Sequence, residues 1–309
     1  MVILILDGKT ALLGAKEGLN LCITAVIPSI FPFLVLSGIL TAAFSGSKLS
    51  VLSLPARLFH LPKGTEALLV NVFLGGYPVG ASAVSREVSR GQLSKEAGEI
   101  MLSWSNQAGP AFLFGMLGML FSSRITLFLI WLIQIISALW TCQMYCGKEW
   151  APAALQCNSA LPELRTSVGI MGVICGWIVL MRVVIAFLDR WVLWALPGVL
   201  RILVIGILEL SNGCAALAQV SGEGPRMLLA CVMLSMGGVC VALQTQSVCG
   251  GLSMKYYIQG KLIQGCFSAV LCLGYLRLGW SVLLLGIVFP IFMAGIRKKT
   301  GSIPGKTVV

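Results

Sequence analysis

The sequence predicts an all-α integral membrane protein that crosses the bilayer several times. Apolar residues make up 58% of the 309 residues and charged residues only 11%, whereas globular domains carry about 25% charged residues. Runs long enough to span a hydrocarbon core of ~30 Å recur along the chain, with no stretch left over for a soluble domain. We therefore expect a polytopic helical protein with a multi-pass location in the cell membrane.

The basic residues are distributed as membrane anchors. Lys and Arg number 22 against 11 Asp and Glu, a net charge of +11. They stand singly near the expected ends of membrane segments, as at Arg57, Arg124 and Lys255, where they contact anionic headgroups. The lipid bilayer is thus the expected partner, and nucleic acid is not.

Neither metal chemistry nor catalysis is indicated by the residue pattern. Most of the eleven cysteines lie in apolar segments, where a free thiol behaves as a small hydrophobe. Cys142 and Cys146 do not form a CxxC motif, and the single histidine, His60, is expected in a loop. Serines such as Ser82 have no histidine nearby in sequence to act as a base. We expect no metal, no cofactor and no enzymatic activity.

Two interruptions of helical pattern organise the first half of the chain. One is Gly75-Gly76-Tyr77-Pro78, and the other runs from Ser105 to Pro110. Glycine weakens a helix, and proline removes a hydrogen bond and clashes with the preceding turn. In a membrane, irregular backbone persists only where protein buries it or where it lines a cavity. Paired interruptions of this kind are typical of a transporter's binding site.

The second half repeats this order of interruptions, at residues 209–213 and 235–238. Ser103 lies 23 residues after Gly80, and Ser235 lies 22 residues after Gly213. The spacing predicts two related halves, 1–146 and 165–309, joined by a linker at 147–164. We expect about 8–9 membrane segments with paired discontinuous helices. Whether these helices cross fully, as parallel repeats, or form re-entrant hairpins stays open.

Plain segments surround the interrupted helices. Residues 1–17 are expected to form a short interfacial helix, and Asp7 interrupts their apolar run too early for a signal peptide. Pro28 and Pro32 lie in the first span, where they either kink the helix for packing or open room beside the broken helices. The predicted plain spans are 19–44, 125–145, 167–188, 261–276 and 279–296.

The interruptions expose groups that suit an anionic solute. Half-helices beginning near Gly80 and after Pro110 present N–H groups and partial positive charge, which bind carboxylates and phosphates. Neighbouring polar side chains either bind the solute or only satisfy freed backbone groups. The candidate substrate-binding residues are Tyr77, Gly80, Ser105, Asn106, Gln107, Ser211, Asn212 and Gln244.

Glu209 is the most informative single residue, because it follows an apolar run that places it near mid-membrane. A charge there costs roughly 2.5–3.5 kcal/mol on insertion scales. We interpret Glu209 as a coupling or gating carboxylate, with Arg182 in the neighbouring span as its possible partner. The alternative is a purely structural Glu209–Arg182 pair.

Five motifs carry a resemblance to a known family: IPSIFPF from Ile27, GGYPVGA from Gly75, SNQAGPAFLFG from Ser105, LELSNG from Leu208 and LSMGGVCVALQ from Leu234. At these residues the chain resembles the sporulation integral membrane proteins of the YlbJ/SpoVV type, which carry the Gate, or nucleoside-recognition, domain. The resemblance extends from about Ala25 to Leu276. It implies a role in endospore formation, in which a mother-cell protein moves dipicolinic acid across the outer forespore membrane.

The sequence therefore predicts a transporter for a small organic anion, with dipicolinate as the suspected partner and a homo-oligomer as a further option. Two alternatives stay open. One is a non-transporting membrane scaffold or spore maturation component, and the other is a nucleoside-type solute transporter.

Overall fold

The computed structural model describes residues 6–44, 52–61, 65–145 and 162–300, which form helices and connecting turns with no strand among them. Two π-helical turns, Cys22–Val26 and Asn71–Gly75, and two 3₁₀ turns, Leu193–Ala195 and Leu217–Gln219, join some of the helices. The α-helices in chain order are α1 (Gly8–Leu21), α2 (Ile27–Phe44), α3 (Ser53–Leu58), α4 (Leu68–Val70), α5 (Val79–Ser89), α6 (Lys95–Met101), α7 (Pro110–Met116), α8 (Arg124–Tyr145), α9 (Pro162–Trp191), α10 (Gly198–Leu208), α11 (Leu210–Ala216), α12 (Glu223–Met236), α13 (Gly238–Val248), α14 (Lys255–Leu278) and α15 (Trp280–Thr300).

Several of these helices have the length and apolar character of membrane spans, which confirms the polytopic helical fold. Gly198–Leu208 and Trp280–Phe292 are shorter apolar helices beside them. The number of segments, 8–9, stays a prediction. Among the described residues, five stretches qualify as spans: Gly8–Leu36, Arg124–Tyr145, Ser167–Trp191, Glu223–Val248 and Lys255–Leu278.

Residues 8–44 form one continuous helix made of α1, the π-helical turn Cys22–Val26 and α2, which we call the first long helix. The prediction of a separate interfacial helix at 1–17 is therefore wrong for the described part of that range. The Asp7 carboxylate caps α1 by accepting a hydrogen bond from Thr10 N at 3.2 Å. The helix then continues through the π-helical turn Cys22–Val26 into α2. A π turn commonly accommodates a helix irregularity, and this one directly precedes Ile27 and Pro28.

The first long helix packs against α9, the helix that opens the second half. Gly14 and Gly18 allow this close approach: a Cβ at Gly14 would lie 3.0 Å from Val183 Cα, and one at Gly18 would lie 2.9 Å from Val179 Cα. The opening spans of the two predicted halves are thus neighbours in space. The predicted linker lies outside the described residues except for its last three residues, which already belong to α9.

A shared apolar core joins helices of both halves around the interruptions. Phe112 of α7 and Ile130 of α8 cluster with Leu234 of α12 and Cys272 of α14, and all four are buried. Tyr77, from the first interruption, belongs to the same cluster. The irregular backbone is therefore enclosed by protein, which is the condition for its persistence in a membrane.

Candidate functional site

The first pair of broken helices meets at its interruptions. Gly76 has φ +80°, and the Tyr77–Pro78 peptide bond is cis. The second interruption of the first half is the irregular segment from residue 102 to residue 109, between α6 and α7. A Cβ at Gly80 would lie 2.0 Å from Ser105 O, and one at Gly109 would lie 2.8 Å from Leu74 O. These backbones touch because the residues are glycines. We call this contact the first crossing.

The second pair meets in the same manner, at what we call the second crossing. Here the breaks are short: Glu209 separates α10 from α11, and Gly237 separates α12 from α13. Gly237 and Gly238 have φ of +76° and +73°, a region that favours glycine. A Cβ at Gly238 would lie 2.7 Å from Ile207 O. The predicted interruptions are thus confirmed in both halves, although that of residues 102–109 is much longer than its counterpart.

Glu209 is buried, with 2% of its surface exposed, and it caps the helix that follows it. Its carboxylate accepts hydrogen bonds from Ser211 N at 3.0 Å and from Asn212 N at 2.6 Å. A third hydrogen bond comes from Asn212 Nδ2, also at 2.6 Å. The anion-binding end of α11 is therefore occupied by the chain's own carboxylate.

A buried cluster of amide side chains and one ammonium group lies beside the first crossing. Gln107 and Gln264 form a reciprocal pair: Gln264 Nε2 donates to Gln107 Oε1 at 2.6 Å, and Gln107 Nε2 donates to Gln264 Oε1 at 3.1 Å. Gln134 Oε1 accepts from Ala108 N at 3.3 Å. We call this set, completed by Asn106 and Lys261, the central polar cluster. All five of its side chains are at most 3% exposed.

Lys261 supplies the positive charge of the central polar cluster. Its Nζ donates to the Asn106 carbonyl oxygen and, at 3.1 Å, to Gln264 Oε1. The same Nζ lies 5.8 Å from the centroid of the Tyr77 ring, a cation–π distance. Among the described residues no carboxylate lies within ion-pair distance of Lys261. This buried cation therefore has no protein counter-charge there.

The structure brings part of the predicted site together. Tyr77 and Asn106 join Gln107 at the first crossing, where the Tyr77 hydroxyl donates to the Leu234 carbonyl of the second half. Asn106 Nδ2 donates to Thr245 Oγ1 at 2.7 Å, a further link between the halves. Gly80 acts through its missing Cβ, and Ser105 Oγ is buried without a hydrogen-bond partner among the described residues.

The second-half candidates lie apart from this group. Ser211 and Asn212 bind Glu209 through the hydrogen bonds described above. Gln244, on α13, donates to Cys240 Sγ at 3.3 Å. These residues satisfy local groups of the protein, which is the second of the two interpretations that their sequence allowed.

The proposed Glu209–Arg182 pair is not formed. Arg182 bonds to Glu17 of α1 and lies 3.9 Å from Asp189. Asp189 also accepts from Arg201 at 2.8 Å. Arg182 therefore joins the first long helix to α9, because packing at Gly14 and Gly18 brings Glu17 next to it. The expectation that it is the partner of Glu209 is wrong.

The central residues of the polar cluster were missed at the level of sequence. We expected Lys261 at the end of a span. Instead α14 begins six residues earlier, at Lys255, and Lys261 is buried more than one helical turn from its start. Gln264 follows three residues later and so shares its helix face. Gln134 was overlooked within the plain span of α8, and Asn71 within the apolar run before Gly75. Both polar atoms of the Asn71 side chain are buried without a partner.

Two sizeable cavities flank the crossings. One of about 370 Å³ is lined by residues of α13 and α14, including Lys261, and by Ile207 at the end of α10. The other, about 580 Å³, lies beside α2 and α7 and is lined by Pro28, Gly115 and Ala215 among others. Pro28 thus does border open space, as one of its two interpretations required. Directly at the first crossing there is room for about one water molecule, since the cavity measures about 10 Å³.

No group of three or more potential metal ligands occurs among the described residues. The histidine at position 60 contacts Gln143 Oε1 at 3.2 Å instead. The described cysteines are free thiols, and most of them are buried. The central polar cluster is therefore the buried polar group that we consider further as a ligand site.

Comparison with known proteins gives a partial match. Over 106 residues the chain is 30% identical to the sporulation integral membrane protein YlbJ of Bacillus subtilis (strain 168). The matched region covers 33% of this chain and 26% of the relative, so the chain spans about a quarter of the length of YlbJ. No family model matches the chain, and no solved structure matches it. The apolar helices and this similarity together support a multi-pass membrane protein related to a sporulation membrane protein.

Proposed function

We propose that the protein is a membrane transporter for a small organic anion, with dipicolinic acid at the outer forespore membrane as the first candidate. The observation that carries this proposal is Lys261, a cation buried within a membrane segment with no carboxylate at ion-pair distance among the described residues. Ionisable residues inside a membrane usually mark a substrate or ion pathway.

The energetics favour an anion as the missing counter-charge. A buried charge is costly unless it is paired and hydrogen-bonded. An ammonium group has three donors, and Lys261 uses two of them on Asn106 O and Gln264 Oε1. The third is available to a carboxylate. Ser105 Oγ and Gln134 Nε2 are also buried without partners among the described residues, and both can donate a hydrogen bond to an anion.

The crossings favour transport over a scaffold role. A scaffold needs only continuous helices, whereas this chain places four interruptions where pairs of broken helices touch. Broken helices near the centre of the membrane are the usual setting of a transporter's substrate site. In this proposal Lys261 contacts the substrate, Asn106 and Gln107 hold Lys261 and Gln264 in place, and Tyr77, Gly80 and Ser105 shape the first crossing. Catalysis plays no part.

Glu209 keeps its proposed role as the coupling or gating carboxylate, now without Arg182. Its hydrogen bonds to Ser211 and Asn212 hold α11 in place, so gain or loss of a proton would change how firmly that helix is held. Gln244 lies on the adjoining α13. Replacing Glu209 by Gln tests this role: an unchanged pH profile of transport in the variant would exclude coupling.

Transport by the purified protein in liposomes is the direct test of the proposal. We expect uptake of labelled dipicolinate, inhibited by excess unlabelled dipicolinate and not by nucleosides. Asn106→Ala should abolish uptake at unchanged membrane abundance, while Asn20→Ala, at an exposed position of α1, should transport normally. Competition by nucleosides would favour a nucleoside-type transporter. If the protein neither takes up nor binds any anion, the scaffold role becomes the better account.

A further inference from the structure

The cavity of about 370 Å³ between α13 and α14 runs beside the second crossing. Gly238 and Met236 line it at the break, and Gln246 and Met254 line it near the ends of the two helices. Its volume is at the lower end of small-molecule sites, roughly 300–1,000 Å³. The space is therefore suited to a small ligand.

The walls of this cavity are almost entirely apolar. Polar side chains come from only three of the lining residues, Gln246, Tyr257 and Lys261. The remaining wall is made of aliphatic and small residues such as Ile207, Val239 and Ala242. A largely apolar wall with a few polar groups is the usual composition of a site that orients a small ligand.

Lys261 connects this cavity with the central polar cluster. Its side chain lines the cavity, while its ammonium group holds the Asn106 carbonyl at the first crossing and Gln264 Oε1. A ligand in the cavity would thus lie against the side chain whose ammonium group is bound to the first crossing. Lys261 thus links the cavity to the irregular backbone of residues 102–109 through its hydrogen bond to the Asn106 carbonyl.

We infer that this cavity is the anion site, and that it recognises one carboxylate together with a flat apolar ring. The carboxylate pairs with the third donor of Lys261, and the ring lies between α13 and α14 against Ala242 and Tyr257. A second carboxylate is not required, because Lys261 is the one cation among the described lining residues. This inference rests on the proposed function, since it places the substrate of that same transporter.

Competition against labelled dipicolinate, measured on the purified protein, tests the recognition rule. Benzoate has the ring and one carboxylate, whereas succinate has two carboxylates and no ring. We expect benzoate to compete within about tenfold of unlabelled dipicolinate and succinate to be at least about tenfold weaker. Succinate binding as tightly as benzoate would overturn the inference. So would oleate displacing the label at lower concentration than benzoate, because the cavity would then be a lipid groove.

Replacing an alanine by leucine in each of the two cavities tests where the ligand binds. Ala242→Leu fills this cavity, and Ala215→Leu fills the cavity of about 580 Å³ beside α2 and α7. We expect the first variant to weaken dipicolinate binding at least about tenfold and the second to leave it unchanged. Val239→Trp provides a second test with little risk to folding, because Val239 lines the cavity and is 41% exposed. It should weaken binding in the same direction.

The outcomes separate this inference from the proposed function. If the wild-type protein binds dipicolinate, and both Ala242→Leu and Val239→Trp bind it equally well, the site lies elsewhere and the transporter proposal survives. If the wild-type protein binds no anion, the proposed function fails, and the inference fails with it.

Discussion

At the second crossing the buried carboxylate of Glu209 is bound by donors two and three residues further along the chain. At the first crossing the buried ammonium of Lys261 reaches a carbonyl 155 residues away. Glu209 receives three hydrogen bonds from its own helix start, whereas Lys261 retains an unused donor and has no carboxylate beside it among the described residues. The Glu209 carboxylate at the second crossing is satisfied by its own helix, whereas the Lys261 ammonium group at the first crossing keeps one donor without a partner among the described residues.

This difference indicates how related crossings take on separate roles. The short break at Glu209 fixes the direction of α11, while the long break at residues 102–109 carries buried polar atoms without partners.

The largest effect is expected from adding a methyl group where the backbones touch. A Cβ at Gly80 would lie 2.0 Å from Ser105 O, so Gly80→Ala should lower the free energy of unfolding by about 3 kcal/mol. Gly238→Ala, with 2.7 Å to Ile207 O, should be destabilising to a smaller extent. Thermal unfolding in detergent measures both.

Gly176→Ala is the matched control, because nothing lies within 4 Å of a Cβ at that position of α9. Its helix should gain up to about 1 kcal/mol. Equal unfolding temperatures for Gly80→Ala and Gly176→Ala would show that the first crossing is not a close backbone contact.

Removing the Lys261 ammonium group should weaken both ligand binding and the first crossing. Lys261→Met should weaken dipicolinate binding at least about 30-fold, equivalent to about 2 kcal/mol, because the ligand loses its counter-charge. Its stability should also fall, by about 1–3 kcal/mol, because the buried Asn106 carbonyl loses its donor. Equilibrium binding and thermal unfolding on the same preparation measure both effects.

Lys255→Met provides the control, since it removes the same charge from an exposed position of the same helix. Binding should be retained in that variant. A parallel loss of binding in both lysine variants would mean that net charge, and not the buried ammonium, attracts the anion.

Substitutions at Glu209 should act first on stability. Glu209→Gln keeps an acceptor but loses the charge that faces Ser211 N and Asn212 N, so it should destabilise the protein by about 1–2 kcal/mol. Glu209→Asp, which preserves charge and capping ability, should be closer to the wild type in thermal unfolding. A greater loss in the Asp variant than in the Gln variant would contradict the capping role.

The smallest effect concerns the contact between Asn106 and Thr245, which joins the two halves at 2.7 Å. A double-mutant cycle with Asn106→Ala and Thr245→Val should give a coupling energy of about 1 kcal/mol. Additive single-variant effects on unfolding would show that the hydrogen bond contributes nothing to holding the halves together.

The sequence predicts the interruptions well because their cause is local. Gly76, Pro78 and Gly237 disfavour a continuous helix through their own backbone properties, and Glu209 caps a helix with the residues that follow it. Partners across the fold are not local. Lys261 has the same appearance as any lysine near the start of a span, and only the packing of α14 against the first crossing shows that it is buried. Arg182 illustrates the same limit, since its partner Glu17 lies in a helix that we expected at the membrane surface.

The bond from Lys261 to the Asn106 carbonyl also bears on the order of biosynthesis. Chains are inserted from the N-terminus, so residues 102–109 leave the ribosome long before α14 does. Until α14 arrives, that carbonyl lacks the ammonium group it binds in the finished protein. The first crossing is therefore completed only after α14 has been synthesised.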